Sequence, residues 1–201
     1  MVDAQALAWQ EDEETPHPAT CYGYAEPFDR TGATVLDVGC GIGRFARLFK
    51  RADWRGLDQS AEMVKRCRVI GLNVRQGSIY NIPVPDASAD CVICNAVLFH
   101  IADVCPAIHE LWRVTKPGGR LIYSVHWTWG LVHHNPYPIL VEDGLGGHWW
   151  VPVNAVPRWQ VRRFAARCLK PTPARIETKY VNDRGIGGGR IAWVVADKRG
   201  A

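Results

Sequence analysis

No apolar run in this 201-residue chain is long enough to cross a bilayer. The opening Met-Val-Asp-Ala-Gln has neither the basic segment nor the apolar stretch of an export signal. A large charge excess is missing too. The net charge is +4, and Lys and Arg are scattered apart from Arg162, Arg163 and Arg167, too little for a nucleic-acid groove. The seven cysteines are an odd number and sit mostly inside apolar runs. They are expected to be small, reduced core residues, not a disulfide framework. No metal site is expected either. Cys91-x-x-Cys94 has a zinc-like spacing, but it lies in a strand pattern where residues three apart point to opposite faces. No second pair matches it, and His133-His134 has no clear partner. Internal repeats and low-complexity tracts are also absent. These absences leave a cytoplasmic, enzyme-sized chain without a membrane span. Its length suits one domain, and its 47% hydrophobic content suffices for a buried core.

What is present begins at Thr34. Val35, Leu36 and Val38 predict a buried strand with Asp37 near its carboxyl end. Gly39, Gly41 and Gly43 then allow a tight turn with no Cβ in a ligand's way. The apolar spacing of Phe45, Ala46, Leu48 and Phe49 predicts a helix over 44–50. Elements alternate from there. Strands are expected at 54–58, 73–76, 89–95 and 120–126. Helices are expected at 60–68, capped by Ser60, and from Asp103 to the Lys116-Pro-Gly-Gly119 stop. An irregular stretch rich in Trp, His, Pro and Gly follows. A helix over 156–169 and strands over 175–181 and 190–197, joined by a glycine-rich link, complete the pattern. Alternating strands and helices imply a parallel sheet with right-handed crossovers.

The glycine turn fits two ligand types. Gly41-Ile-Gly-Arg-Phe-Ala46 satisfies the G-x-G-x-x-G/A dinucleotide pattern, which alone is weak. The longer Asp37-Val-Gly-Cys-Gly-Ile-Gly43 resembles motif I of class I S-adenosylmethionine (SAM)-dependent methyltransferases. An acid two positions before the first glycine suits a sulfonium and an ammonium, and would repel a pyrophosphate. Downstream phrases carry the same resemblance. They are Ile82-Pro-Val-Pro-Asp86 leading to Ala89-Asp90-Cys-Val, Leu98-Phe-His100-Ile, and Glu110-Leu-Trp-Arg-Val-Thr-Lys-Pro-Gly-Gly119-Arg-Leu. The match covers about residues 30–126 and looks closest to the small-molecule branch, which includes quinone-biosynthesis and natural-product enzymes. It implies an α/β, Rossmann-like, mainly parallel seven-stranded sheet with helices on both faces and a C-terminal antiparallel hairpin.

The resemblance also implies the cofactor, S-adenosyl-L-methionine, and a set of residues to hold it. Asp37 would stand near the methionine ammonium. Gly39, Cys40, Gly41 and Gly43 would lay backbone along the methionine and ribose. Asp58 would accept from both ribose hydroxyls, using its two oxygens. Gln59 and Met63 would flank the adenine. Relatives often carry an acid after strand three, where this chain has Gly77-Ser78-Ile79. Here the Ser78 hydroxyl and the Ile79 N–H are left to meet the adenine. Asn95 would lie under the methionine tail. Plainer roles stand beside these: a carboxylate capping the turn for Asp37, a helix N-cap for Asp58, core packing for Met63.

Transfer from a sulfonium asks mainly for in-line placement of the acceptor in a site closed to water. A general base helps if the acceptor carries a proton, and His126 and His100 follow strands five and four at the expected position. The 127–160 segment, with Trp127, Trp129, Trp149, Trp150, Trp159 and Tyr137, is expected to cover an apolar or aromatic small-molecule acceptor. Tyr22, Tyr24 and Phe28, within a 1–30 arm, are expected to fold over the cofactor. The product would be S-adenosylhomocysteine. Methylation of a tRNA or protein, SAM binding without turnover, and nicotinamide oxidoreduction stay open. The sequence does not set the acceptor, the atom methylated, the pathway or the oligomeric state.

Overall fold

Strand β1 (Thr34–Val38) pairs in parallel with β2 (Asp53–Asp58) on one side and β4 (Ala89–Cys94) on the other. The computed structural model describes residues 17–128, 137–142, 148–153, 155–182 and 190–200. β3 (Val74–Gln76) adds to β2, and β5 (Thr115–Thr128) adds to β4. β10 (Arg190–Asp197) lies between β5 and β9 (Arg175–Asn182), antiparallel to both. The order is therefore β3-β2-β1-β4-β5-β10-β9, the mainly parallel sheet with an antiparallel end that the sequence implies. An eighth strand, β8 (Ala155–Pro157), pairs with residues 126–128 of β5. His126 meets Ile191 of β10 on one edge and Ala155 of β8 on the other. β8 thus takes over the edge of β5 that β4 has left. A separate hairpin, β6 (Tyr137–Glu142) and β7 (His148–Val153), occupies part of the stretch expected to be irregular.

Alternation along the strands builds two cores. Leu36, Val38, Val92, Cys94, Leu121 and Tyr123 face one side, against α3 (Val104–Val114) and α4 (Val161–Cys168). Val35, Cys91, Ile93, Ile122 and Trp193 face the other, against α1 (His17–Ala25) and α2 (Ala61–Val69). Cys91 and Cys94 consequently point to opposite faces. Trp112 of α3 is fully buried, with its indole N–H on the carbonyl of Pro171 at 2.9 Å. Truncating so large a core ring to alanine costs about 3–5 kcal/mol. Among the described residues no helix is long and apolar enough to cross a membrane.

Three expectations are corrected. The segment 44–50 is not an α-helix but a tight turn ending in one 3-10 turn, Ala46–Leu48. Its bonds all close three residues back, from Gly43 N, Ala46 N, Leu48 N and Phe49 N. Asp29 explains the stop. Its Oδ1 takes the N–H groups of Lys50, Arg51 and Ala52, which a longer helix would have spent on its own carbonyls. Second, Cys105 and Cys168 form a disulfide joining α3 to α4, while Cys21, Cys40, Cys67, Cys91 and Cys94 are free and buried. Their separation of 63 residues leaves no local spacing to read. Third, α4 starts only at Val161, after a 3-10 turn over Arg158–Gln160.

Candidate active site

The glycine turn leaves β1 where Gly39 N and Cys40 N both donate to the Leu57 carbonyl, at 2.7 and 3.1 Å. This couples the turn to β2. Gly39 has φ +75, and a Cβ there would lie 2.2 Å from Val97 Cγ2, so only glycine lets the turn pass under the chain leaving β4. Gly41, at φ +53, differs: a Cβ would meet nothing within 4 Å, because this residue borders open space. Beneath the turn the Cys67 and Cys40 thiols reach the Gly41 carbonyl, at 3.2 and 3.8 Å.

That space is a cavity of about 270 Å³ at the carboxyl ends of β1, β2 and β4. It brings together Asp37, Gly39, Cys40, Gly41, Asp58, Gln59, Met63, Gly77, Ile79, Asn95 and His100 of the expected site. Gly43, Ser78 and His126 are not among its lining residues. Gly43 packs against α2 and its following loop, where a Cβ would sit 2.4 Å from Leu72 Cδ1. Ser78 Oγ accepts from Tyr80 N at 3.2 Å, which closes a local turn. His126 is buried in β5 with Phe99 4.1 Å away, and Phe99 in turn lies 4.4 Å from His100. Both histidines therefore pack on the same aromatic ring.

The two acids at the cavity differ in environment. Asp58 Oδ2 accepts from Gly41 N at 2.8 Å and Oδ1 from Ser60 N at 2.9 Å. Asp37 is buried, and its Oδ2 has no hydrogen-bond partner. Burial, then the charge of Asp58, then Cys67, push its carboxyl up to about 8. Burial also pushes the His100 imidazole down to about 4, so this ring is neutral at physiological pH.

Sequence reasoning missed part of the wall. Arg44, Phe45, Ala96, Val97 and Ile101 also line the cavity. Ala96 has φ +57, which is uncommon for a residue with a Cβ and has no signature in the sequence. The rings of Tyr22, Tyr24 and Phe28 pack elsewhere. Tyr22 meets Phe49 at 5.7 Å, Tyr24 donates to Glu177 at 3.0 Å, and Phe28 lies 5.6 Å under the Arg120 guanidinium. Residues 1–16, Trp129, His133 and His134 lie outside the described residues, as do the side chains of Tyr137, His148, Trp149 and Trp150. The backbone of β7 runs close to the Leu98–His100 turn, on the His100 side of the cavity.

A glycine turn with an acid at each of two adjacent strand ends, opening on one cavity, matches the comparison with known families. The methyltransferase-domain family model matches residues 36–123. Over those residues the chain is similar to methyltransferase domains. An uncharacterized methyltransferase from Schizosaccharomyces pombe is 32% identical over 133 residues, 58% of this chain and 46% of that protein. A malonyl-[acyl-carrier protein] O-methyltransferase from Serratia marcescens is 36% identical over 97 residues, 46% of this chain and 38% of that protein. The chain thus spans less than half the length of these curated relatives. In fold, a SAM-dependent methyltransferase from Methanosarcina mazei superposes with a TM-score of 0.68 over 90% of this chain and 99% of that one, at 19% identity. The cofactor of this methyltransferase fold is S-adenosyl-L-methionine, and the residues present fit it. The buried Asp37 oxygen lacks the cationic partner that a methionine ammonium supplies. The Gly41 backbone leaves free the space that a nucleoside needs.

Proposed function

We propose that this protein transfers the methyl group of S-adenosylmethionine to a small, largely apolar acceptor. The observation that carries the proposal is that Asp37 and Asp58 line one cavity, and that a buried carboxyl oxygen of Asp37 has no hydrogen-bond partner. Bound there, the cofactor supplies a methyl group already activated on a sulfonium. Asp58 is pre-positioned by the Gly41 and Ser60 N–H groups. A carboxylate has about four lone-pair sites, so capacity remains for two ribose hydroxyls. Asp37 takes the methionine ammonium. Gln59, Met63, Gly77 and Ile79 form the adenine side, with Ser78 and Gly43 shaping the backbone behind it. Val97 and Ile101 give an apolar wall that excludes water from the acceptor. His100 lines the cavity with a neutral ring, whose part is to orient a hydroxyl or amine acceptor, the proton of that acceptor leaving to solvent. His126 backs the shared Phe99 ring.

A second acceptor class follows from the Serratia relative, whose name describes O-methylation of an acyl group carried on a protein. Calorimetric titration with SAM, S-adenosylhomocysteine and NAD(H) tests the cofactor, with binding of the first two expected. NAD(H) binding without SAM binding overturns the proposal. Labelled methyl transfer into a cell extract, split by size, separates the acceptors. Label in the small-molecule fraction is expected, and label confined to protein or RNA favours a macromolecular acceptor.

A further inference from the structure

Ser124 lies in β5 opposite Trp193 of β10 and is fully buried. It belongs to no part of the glycine turn, yet it controls the far wall of the cavity. Its Oγ accepts the Ala96 N–H at 2.9 Å and lies 2.9 Å from Asn95 Oδ1. A hydroxyl has one proton. With the Ala96 N–H arriving at a lone pair, that proton goes to the Asn95 oxygen. The amide of Asn95 is thereby fixed: oxygen toward Ser124, NH2 left as the group it offers to the cavity that it lines. The bond from the Ala96 N–H to Ser124 Oγ anchors Ala96 in its left-handed conformation, φ +57, and Ala96 leads directly to Val97, which covers Gly39.

The fixed NH2 has an evident use. The cavity's two acids suit the sulfonium and ammonium of the cofactor but repel its third charged group, the carboxylate. Asn95 presents a neutral donor among them. We propose that Ser124 is a positioning residue, holding the Asn95 amide so that its NH2 donates to the carboxylate of the methionine end. This rests on the cofactor reading above.

The test uses the purified chain and two ligands, SAM and decarboxylated SAM, which keeps the sulfonium and amine but lacks the carboxylate. Ser124→Ala removes the lock. It is expected to weaken SAM by about tenfold, in line with loss of one hydrogen bond to a charged group, and decarboxylated SAM by less than about twofold. Asn95→Asp keeps the shape and the Ser124 bond but turns a carboxylate oxygen toward the cavity. It is expected to weaken SAM by tenfold or more, on the order of a lost charge-assisted bond, and to leave decarboxylated SAM as tight or tighter. This second variant decides the matter if Ser124→Ala does not fold. Equal losses for both ligands would give the carboxylate to another donor, such as Arg44, and overturn the assignment. Unchanged SAM affinity would overturn it too. If the wild type binds neither ligand, the cofactor reading fails and the assignment with it.

Discussion

The ends of β1 and β2 stand side by side and each presents an aspartate to one cavity, but the fold treats them in opposite ways. At the β2 end the carboxylate of Asp58 is anchored by two backbone N–H groups, one from the glycine turn and one from the start of α2. At the β1 end Asp37 is sealed in with an unpartnered oxygen and a carboxyl pushed up to about 8. One acid is finished before any ligand arrives. The other is incomplete, and a cation would complete it. Preorganised acceptors and stored electrostatic deficit are thus separated by one strand spacing, about 4.8 Å.

The sharpest way to break this contrast is Asp58→Ala. It removes the proposed ribose acceptor and the tie between Gly41 and Ser60. We expect SAM affinity to fall about 100-fold, roughly 3 kcal/mol for lost bonds to a charged group, together with a lower melting temperature. A loss of binding with no change in melting would show that the backbone ties are idle.

The Asp37 end makes a prediction in pH. Between the usual carboxyl value of 3.8 and about 8 the unliganded protein keeps a proton on Asp37 that the unfolded chain has released. Stability from this group is therefore present at low pH and lost as pH rises through that window. Asp37→Asn should remove the decline, so that at pH 8 the variant melts above the wild type. Binding has the reverse slope. A cation favours the carboxylate, so SAM affinity should rise by up to about tenfold per pH unit between pH 6 and 8. Calorimetry in two buffers of unlike ionisation enthalpy should detect the released proton. Asp37→Asn should bind about tenfold more weakly at pH 8, on the scale of one unit of coupling, with a flat profile. A steep profile in the variant would assign the proton elsewhere.

The smallest effect should come from Ser60→Ala. Its Oγ caps α2 on Met63 N at 3.4 Å, while its own N–H holds Asp58. Loss of the cap should cost about 1 kcal/mol of stability, read by denaturant unfolding, with SAM affinity within about twofold because the backbone tie remains.

The anchored end was legible in the sequence and so was most of the sheet. Short apolar runs placed β1 and β4, and Asp37 and Asp58 followed as the acids near the ends of β1 and β2. Ser60 was legible as a cap, because caps are chosen by local chemistry. What stayed hidden depended on distant partners. The 44–50 segment has helical spacing, but Asp29 takes the donors that would have extended it. Ala96 adopts its left-handed turn because Ser124, on another strand, receives its N–H. Cys105 meets Cys168 only after α3 and α4 have packed on the same face. The short β8 strand has no signal of its own, since the edge it covers exists only where β4 ends before β5 does.

The placement of β10 between β5 and β9 has a consequence for the order of assembly. A ribosome makes β5 and β9 before it makes β10, so neither can take its final neighbour from the nascent chain until residues 190–197 emerge. Until then the β5 edge is a bare apolar ribbon, open to stray pairing. Trp193, fully buried in the finished sheet, is among the last core residues to arrive. The β5 side of the sheet is closed by β10 alone, like a drawstring pulled late.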